Sequence, residues 1–309
     1  MMFTDVRLTP FFTAASSHPG FLHSKFRHTV NFLFPSAEGH RRLLTIMKKE
    51  LPAVPDSLSV SDDLFSRIHR LPLNAAIMAE EQQFHIPAAS LDFKPSFNAA
   101  DRCRLVIENN EIAEIKLPNL RTFVDAYQLF MTKRSYQCGF TAHQNEKTRE
   151  MTAALATVPQ LLLTRQTAKL KSVLAGLVGM GQGLTPAFDD ALVAILAVMA
   201  GAKIYAARRP ALIHDDQRGW IDFPDIILPP DWERLIECRT TDVSAKYLYC
   251  AHDGFYSDPM VLLITKLFSD QPQNWLPTLE MFAGIGGSSG YDMLYGASLA
   301  ARSLNPFCF

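Results

Sequence analysis

The feature that most constrains the fold is a glycine-rich loop that opens onto a long apolar segment. The loop has glycines at alternate positions, Gly179, Gly181 and Gly183, and residues 191–202 are almost wholly apolar. Glycine tolerates a positive φ, so another group can approach the backbone of such a loop closely. A helix that is apolar on most faces must be buried, and the segment therefore predicts a helix inside a protein core.

The residues between the loop and the apolar segment are typical of a helix start. Thr185 has the hydroxyl of an N-cap residue, Pro186 suits the first helical position, and Asp189 and Asp190 complete the first turn. Unpaired N–H groups and the positive end of the helix dipole make this start an anion site. The adjacent carboxylates also favour a cation, and Mg²⁺ held by Asp189 and Asp190 is the candidate.

A second glycine loop near the C-terminus repeats the arrangement. In both loops a hydroxyl residue follows glycines and is followed by an aromatic residue and then a carboxylate four positions on. The matched positions are Ser288, Gly290, Tyr291 and Asp292 in the second loop and Thr185, Ala187, Phe188 and Asp189 in the first.

Both loops also have a purely structural interpretation. Glycines permit tight packing of a loop against a buried helix, and acidic residues stabilise the helix dipole at its N-terminus. No lysine follows the last glycine as in a P-loop, and no strand precedes the first loop as in a dinucleotide fold. Thr240, Thr241 and Ser244 are most simply the capping hydroxyls of another helix.

Charge and cysteine content exclude several classes of partner. The 309 residues include 30 basic and 31 acidic side chains without long runs of either sign, which argues against nucleic acid and anionic membranes. The apolar run at 191–202 is shorter than the roughly 20 residues of a membrane span. Five scattered cysteines without a CxxC pair indicate reduced thiols in a cytoplasmic protein.

The patterning divides the chain into a β-rich and a helical part, an α+β protein. Residues 1–118 are expected to form a barrel-like or sandwich-like domain, with Asn109-Asn110 as a hairpin turn. Residues 119–309 are expected to form a mainly helical domain that carries both glycine loops. The predicted strands are 29–34, 43–47, 58–60, 84–86, 104–108 and 112–117.

Seven helical stretches are expected in the second part. Pro159 should break or kink the longest of them, and residues 207–231 are expected to form a surface connection without regular structure. The predicted helical stretches are 120–131, 144–177, 185–202, 240–251, 259–268, 275–282 and 290–303.

Three motifs resemble the signature of a bacterial family. They are Gly-x-Gly-x-Gly-Leu-Thr-Pro-x-x-Asp-Asp at 179–190, Thr-Thr-x-x-Ser at 240–244 and Gly-x-Ser-Ser-Gly-x-Asp at 286–292. This signature is similar to that of the family of AllH, a subunit of oxamate carbamoyltransferase in anaerobic allantoin degradation, a branch of purine catabolism. His23-Ser-Lys-Phe26, Asn31 and residues 51–58 are similar to that family's N-terminal region. The chain departs from the family at Ala187-Phe188, usually Ser-Gly, and at Gly287, often His.

The resemblance implies a part in the phosphorolysis of oxalurate to oxamate and carbamoyl phosphate, with other subunits completing the enzyme. No redox cofactor is needed, and glycine-lined helix starts would supply N–H donors for the developing charge. We expect the two loops to face each other across one cleft, with Asp189, Asp190 and Asp292 as catalytic residues that position Mg²⁺ or orient the loops. The expected substrate-binding residues are Gly179, Gly181, Gly183, Thr185, Thr240, Thr241, Ser244, Gly286, Ser288 and Ser289.

Two other interpretations remain open from the residues. The chain could be a non-catalytic structural or effector-binding subunit whose loops only pack or bind a regulator. It could also be a stand-alone enzyme that uses the aspartates and a metal for phosphotransfer or hydrolysis. A ligand or metal between the loops would favour an enzyme, and a broad exposed apolar patch would favour the subunit.

Overall fold

The structure, a computed structural model, divides into two compact units. The first comprises Met1–Arg104 and Phe255–Asp258, and the second comprises Leu105–Gly254 and Pro259–Phe309. The residues that the structure describes are 11, 19–35, 41–80, 83–94, 103–107, 118–134, 138–142, 145–207, 228–269 and 271–304.

The first unit contains a seven-stranded sheet that curls into a half-barrel and precedes a mostly helical region, which confirms the predicted fold class. The strand order is β4-β3-β2-β1-β5-β6-β7. Neighbouring strands are antiparallel except β3 and β4, which are parallel. The strands are β1 (Gly20–Lys25), β2 (Thr29–Pro35), β3 (Arg41–Lys48), β4 (Ser57–Val60), β5 (Ala76–Glu80), β6 (Gln83–Ile86) and β7 (Leu91–Phe93).

Apolar side chains from both halves of the sheet and from helix α1 (Asp62–His69) form the core of this unit. Helix α1 begins after Ser61, whose hydroxyl accepts from the Leu64 N–H, and it buries Phe65 and Ile68. Alternation along the strands puts residues such as Phe32 inside, and their burial supplies the main favourable free energy of folding.

A buried polar ladder crosses strands β1, β2 and β3. Asn31 pairs in register with Ser24 on one side and Thr45 on the other. Its amide donates to the Ser24 hydroxyl at 3.1 Å, and its Oδ1 accepts from the Thr45 hydroxyl at 2.8 Å. Because Asn31 is buried, these bonds offset the cost of removing its amide from water.

The predicted strands at 29–34, 43–47, 58–60 and 84–86 correspond to β2, β3, β4 and β6. The predicted strand at 104–108 is wrong for the described residues, because Arg104 makes only an isolated bridge to Phe255 and residues 105–107 are irregular. The predicted turn at Asn109-Asn110 and the predicted strand at 112–117 lie outside the described residues.

The described part of the second unit is helical. Helix α6 lies at its centre, with most of its residues buried. The helices are α2 (Pro118–Met131), α3 (Gly139–Ala142), α4 (Glu146–Leu163), α5 (Thr167–Leu177), α6 (Ala187–Ala207), α7 (Trp232–Arg239), α8 (Asp242–His252), α9 (Asp258–Leu267), α10 (Leu276–Ala283) and α11 (Ser289–Leu304).

Of the predicted break or kink at Pro159, the break is wrong, because α4 continues past that residue to Leu163, and the kink stays a prediction. Helix α6 is also longer than the apolar run suggested. It has 21 residues and is long and apolar enough to cross a membrane by length and composition, but 72% of its apolar window is buried inside the protein. Its apolar faces are therefore explained by packing in the core.

Helices α6 and α11 pack at unusually short range. A Cβ added to Gly296 in α11 would lie 2.2 Å from the carbonyl oxygen of Ala191 in α6. Only glycine permits this approach, which fixes the two helices against each other one to two turns from their N-termini. The loops that precede both helices are thereby held on the same side of the unit.

Candidate functional site

The first glycine loop is shaped by backbone contacts that a side chain would prevent. Gly179 and Gly181 have φ values of 79° and 125°, in a region that favours glycine. A Cβ at Gly179 would lie 1.8 Å from the Arg239 carbonyl oxygen, and a Cβ at Gly181 would lie 2.5 Å from the Ala187 nitrogen. Gly183 also has a positive φ, but an added Cβ there would meet open space. The first two glycines are thus required by packing.

Asp189 ties this loop to helix α8. It is fully buried, and its Oδ1 accepts from the Gly179 N–H at 2.8 Å. Its Oδ2 accepts from the hydroxyls of Thr240 at 2.5 Å and Ser244 at 2.7 Å. With three donors supplied by the protein, this carboxylate serves as an internal anchor for the loop.

The second loop meets the first directly. The Thr185 and Ser289 hydroxyls, 104 positions apart in sequence, are hydrogen-bonded at 2.9 Å. Gly286 has a φ of 59°, and a Cβ at Gly290 would lie 1.7 Å from the Phe282 carbonyl oxygen. The structure therefore brings the two predicted loops together at the N-termini of α6 and α11.

Thr185 and Thr241 differ from each other in how they use their hydroxyls. The predicted role of Thr185 as N-cap is wrong, because helix α6 begins at Ala187 and the Thr185 hydroxyl bonds to Ser289. Thr241 is the N-cap of α8, accepting from the Ser244 N–H at 3.1 Å. The Thr241 hydroxyl also donates to the Leu184 carbonyl at 2.5 Å, which holds the first loop against α8.

Asp190 lies at the junction of the loops. Only 3% of the residue is exposed, and the hydroxyls of Ser289 and Thr185, which are hydrogen-bonded to each other, lie close enough to its carboxyl group to oppose the rise in its pKa. Its Oδ2 is buried and has no hydrogen-bond partner among the described residues. Asp190 therefore has the hydroxyl contacts that join the loops, together with one acceptor atom that the protein leaves unused.

Asp292 is held by a segment that the sequence did not single out. Its Oδ1 accepts from the Gly139 N–H at 2.8 Å and from the Cys138 thiol at 3.3 Å. Its Oδ2 is buried and has no hydrogen-bond partner in good geometry among the described residues, although the Ser288 hydroxyl is close enough to oppose the rise in the pKa of this carboxyl group. A Cβ at Gly139 would lie 2.9 Å from the Ala187 Cβ, so glycine is needed there as well. No pattern in the sequence marks this pair of small residues as part of the site.

Burial raises the pKa of all three carboxyl groups. Desolvation is the first cause for Asp189, Asp190 and Asp292, and the surrounding hydrogen bonds oppose it. The pKa of Asp190 is raised well above its usual range, because the nearby charges of Asp292 and Asp189 add to the effect of burial. Without a bound donor or cation, the neutral acids are therefore favoured more than they would be at the protein surface.

The loops present backbone donors to solvent. Gly181, Gln182 and Gly183 are exposed in the first loop, as are Gly286 and Gly287 in the second. Within the part of the chain that the structure describes, the N–H groups of these five residues have no protein acceptor. Unpaired N–H groups next to two converging helix N-termini are the arrangement that binds phosphate and carboxylate groups.

The predicted Mg²⁺ site lacks the usual ligand set. Across the described residues there is no group of three or more His, Cys, Asp or Glu side chains that could hold a metal ion. Asp189 is occupied by its three protein donors, so Asp190 is the member of the predicted pair with an unused oxygen. Mg²⁺ binding by Asp189 and Asp190 stays a prediction.

Comparison with protein-family models identifies the relatives of the chain. Residues 177–301, which contain both loops and α6, match the model of the oxamate carbamoyltransferase subunit AllH. Residues 4–101 match the model of the AllH family N-terminal domain. The chain belongs to the AllH family. Searches of curated proteins and of solved structures returned no match to the chain.

The chain's departures from the AllH family pattern fall in two different environments. Ala187 and Phe188 are buried, and the Phe188 ring packs edge-on against Phe140 with ring centroids 4.7 Å apart. Gly287 is exposed, and a Cβ added there would meet no atom within 4 Å. The first departure therefore alters core packing, and the second alters the open surface of the loop.

Proposed function

We propose that the chain is the AllH-type subunit of an oxamate carbamoyltransferase and that its two glycine loops bind the anionic group of a substrate. The observation that carries this proposal is the Thr185–Ser289 contact at 2.9 Å, which joins two loops whose exposed N–H groups have no acceptor within the described chain. The match of residues 177–301 to the AllH model supports the reaction class.

The reaction is the phosphorolysis of oxalurate. A phosphate oxygen attacks the carbamoyl carbon, the bond from that carbon to the oxamate nitrogen breaks, and the proton of hydrogen phosphate ends on the leaving nitrogen. Phosphate, oxalurate, oxamate and carbamoyl phosphate are all anions, so each has a group that unpaired N–H donors can bind. Preorganised donors of this kind also stabilise negative charge that develops on the carbamoyl oxygen.

Within this proposal the predicted site residues divide by role. Asp189, Thr240, Thr241, Ser244 and Gly179 are positioning residues, because their bonds hold the first loop to α8. Binding is assigned to the residues whose backbone or hydroxyl groups lie at the loop junction. These are Gly181, Gly183, Thr185, Gly286, Ser288 and Ser289, with Asp190 and Asp292 beside them.

A subunit implies other protein subunits, and we infer that they complete the enzyme in the cytoplasm. The non-catalytic alternative is supported by Asp189, whose three protein donors give it a structural role that needs no substrate. Ligand binding at the loops distinguishes the two interpretations.

The experiment uses Gly287→Ala as a steric probe. Gly287 lacks a positive φ and an added Cβ meets no protein atom within 4 Å, so the methyl group should leave folding unchanged. If phosphate sits on the loop, the methyl group occupies the ligand's space, and affinity for phosphate and carbamoyl phosphate should fall at least about tenfold, which is about 1.4 kcal/mol. Binding is measured by calorimetry, on the isolated chain and on the assembled enzyme.

Gly176→Ala is the matched control. Gly176 lies in α5, three residues before the first loop; it is exposed and also has open space around an added Cβ. Its substitution should leave affinity unchanged. A ligand at 100 times its dissociation constant should also stabilise the wild-type fold by about 2.7 kcal/mol. Absence of phosphate and oxamate binding in the assembled enzyme would overturn the proposal, and equal binding by Gly287→Ala would exclude the exposed face of Gly287 from the anion site.

A further inference from the structure

Two buried carboxylate oxygens at the loop junction lack the donors that such atoms normally have. Asp190 is 3% exposed and Asp292 is fully buried, yet the Oδ2 of each has no hydrogen-bond partner among the described residues. Buried polar atoms nearly always have a partner, so an unused acceptor needs an explanation. Two of them, in the first turns of facing helices, indicate that the partner is a bound molecule.

Asp189 shows that the orphaned oxygens are not a general property of buried carboxylates in this unit. It is adjacent to Asp190 in the same helical turn, and it takes three donors from the protein. The fold thus provides hydrogen-bond donors for both oxygens of Asp189 but leaves the Oδ2 of Asp190 without one. That difference separates the anchoring role of Asp189 from the role of Asp190 and Asp292.

The Asp190 and Asp292 carboxyl groups are neighbours beside the loops. The charge of Asp292 acts on Asp190, so the two carboxyl groups are close enough to interact. The hydroxyls of Thr185 and Ser289, which join the loops, also act on the Asp190 carboxyl group. The carboxyl pair is therefore placed at the same junction as the two loops.

The chemistry of the missing partner follows from the acceptors. In its ionised form a carboxylate accepts hydrogen bonds only, so it repels phosphate and carboxylate groups and attracts N–H donors or a cation. Binding such a donor or cation favours the ionised form and opposes the rise in pKa that burial causes. The described residues lack the third acidic or imidazole ligand of an ordinary metal site. A carbamoyl or ureido group offers two N–H donors on one planar nitrogen, which suits two neighbouring carboxylates.

We propose that Asp190 and Asp292 form a subsite for the N–H groups of a carbamoyl or ureido ligand, oriented with its anionic end toward the glycine loops. The inference rests on the proposed function and extends it, because it assigns the two ends of the substrate to different parts of the site. The loops select for negative charge, and the carboxyl pair selects for a nitrogen donor beside it. A dianion without N–H groups would meet repulsion at the pair.

Oxamate and oxalate test this subsite, because an NH₂ group in oxamate stands where oxalate has a carboxylate oxygen, and the charge is −1 rather than −2. Wild-type protein should bind oxamate at least about tenfold more tightly than oxalate, the expected value of one charge-assisted hydrogen bond. Asp190→Asn and Asp292→Asn put an amide donor where an acceptor stood. Each should reduce the oxamate-to-oxalate preference about tenfold or more, and affinity for inorganic phosphate should stay equal or rise.

Asp190→Asn is the primary variant, because Asp292 also holds the Gly139 backbone. Glu280→Gln is the matched control, since it removes an exposed carboxylate from helix α10 of the same unit. It should leave the preference for oxamate unchanged. Circular dichroism verifies that each variant is folded, and calorimetry at one pH gives the dissociation constants for the full chain and for the assembled enzyme.

The possible results distinguish between roles for the Asp190–Asp292 pair. Unchanged oxamate preference in folded Asp190→Asn and Asp292→Asn would overturn the subsite while phosphate binding upholds the proposed function. Stabilisation by MgCl₂ that Asp190→Asn abolishes, with no effect on oxamate preference, would assign the pair to a cation and equally overturn the subsite. Failure of the wild-type enzyme to bind phosphate and oxamate would instead overturn the proposed function and, with it, this inference.

Discussion

Replacing Asp189 by alanine should lower the free energy of unfolding of the helical unit more than replacing it by asparagine. Alanine removes the acceptors of the Gly179 N–H and of the Thr240 and Ser244 hydroxyls. Thr240 is half-buried and can turn toward water, whereas Ser244 is 2% exposed and cannot. Each buried donor left without an acceptor costs about 1–3 kcal/mol, so we expect Asp189→Ala to lower the free energy of unfolding by about 2–4 kcal/mol.

Asparagine can keep all three contacts. Its side-chain oxygen can accept from the Gly179 N–H, and its NH₂ group can donate to the Thr240 and Ser244 hydroxyls, which accept as well as donate. The contacts become neutral and therefore weaker, while the cost of burying a charge disappears. We expect Asp189→Asn to change the free energy of unfolding by no more than about 1.5 kcal/mol.

Urea denaturation followed by tryptophan fluorescence measures this difference. Trp232 and Trp275 are buried in the second unit, so their fluorescence reports the unfolding of that unit. Linear extrapolation gives the free energy of unfolding in water. Equal losses for both variants, or a loss below about 0.5 kcal/mol for alanine, would refute the anchoring role of this carboxylate.

Two further outcomes follow from the same unit. Gly290→Ala would place a Cβ 1.7 Å from the Phe282 carbonyl oxygen and should lower the urea midpoint severely. Gly176→Ala, with open space in α5, should raise the free energy of unfolding by at most about 1 kcal/mol. Similar urea midpoints for the two variants would contradict the packing of α10 against α11. Because burial raises the pKa of Asp190, the stability linked to its neutral form is complete below its unfolded pKa of about 3.8 and is lost as pH rises through the folded pKa. The gain in unfolding free energy of Asp190→Asn over wild type should therefore grow with pH above about 4, and a difference that stays constant with pH would contradict this.

Local patterns predicted most elements of the fold. β-Branched and aromatic residues identify β2 and β3, and apolar spacing identifies α2 and α11. Strands such as β1 and β5 were not predicted, because Gly20–Lys25 and Ala76–Glu80 are held by partners from elsewhere in the sheet more than by their own composition. Pro159 did not end the helix because buried residues on both sides of it, such as Leu155 and Leu162, pack the helix in place.

The candidate site was predicted only in part. The glycines, hydroxyls and acids of both loops stand out in the sequence, but the contact of Thr185 with Ser289 spans 104 positions and depends on the close packing of α6 and α11. Asp189 and Asp190 are adjacent and chemically identical, so only the tertiary structure could show that one is fully bonded and the other is not. Cys138 and Gly139 carry no local signal, because they take part in the site only by donating hydrogen bonds to Asp292, which is distant in sequence.

The short segment Phe255–Asp258 determines how this protein can be cut or recombined. It belongs to the first unit, where Tyr256 donates its N–H to the Cys103 carbonyl at 2.7 Å and the Asp258 carboxylate accepts from the Ala53 N–H at 3.0 Å. The N-terminal family match ends at residue 101, so a fragment cloned to that boundary would lack these four residues. The half-barrel therefore cannot be exchanged as one continuous N-terminal segment. A chimaera between relatives must take Met1–Arg104 and Phe255–Asp258 from the same parent.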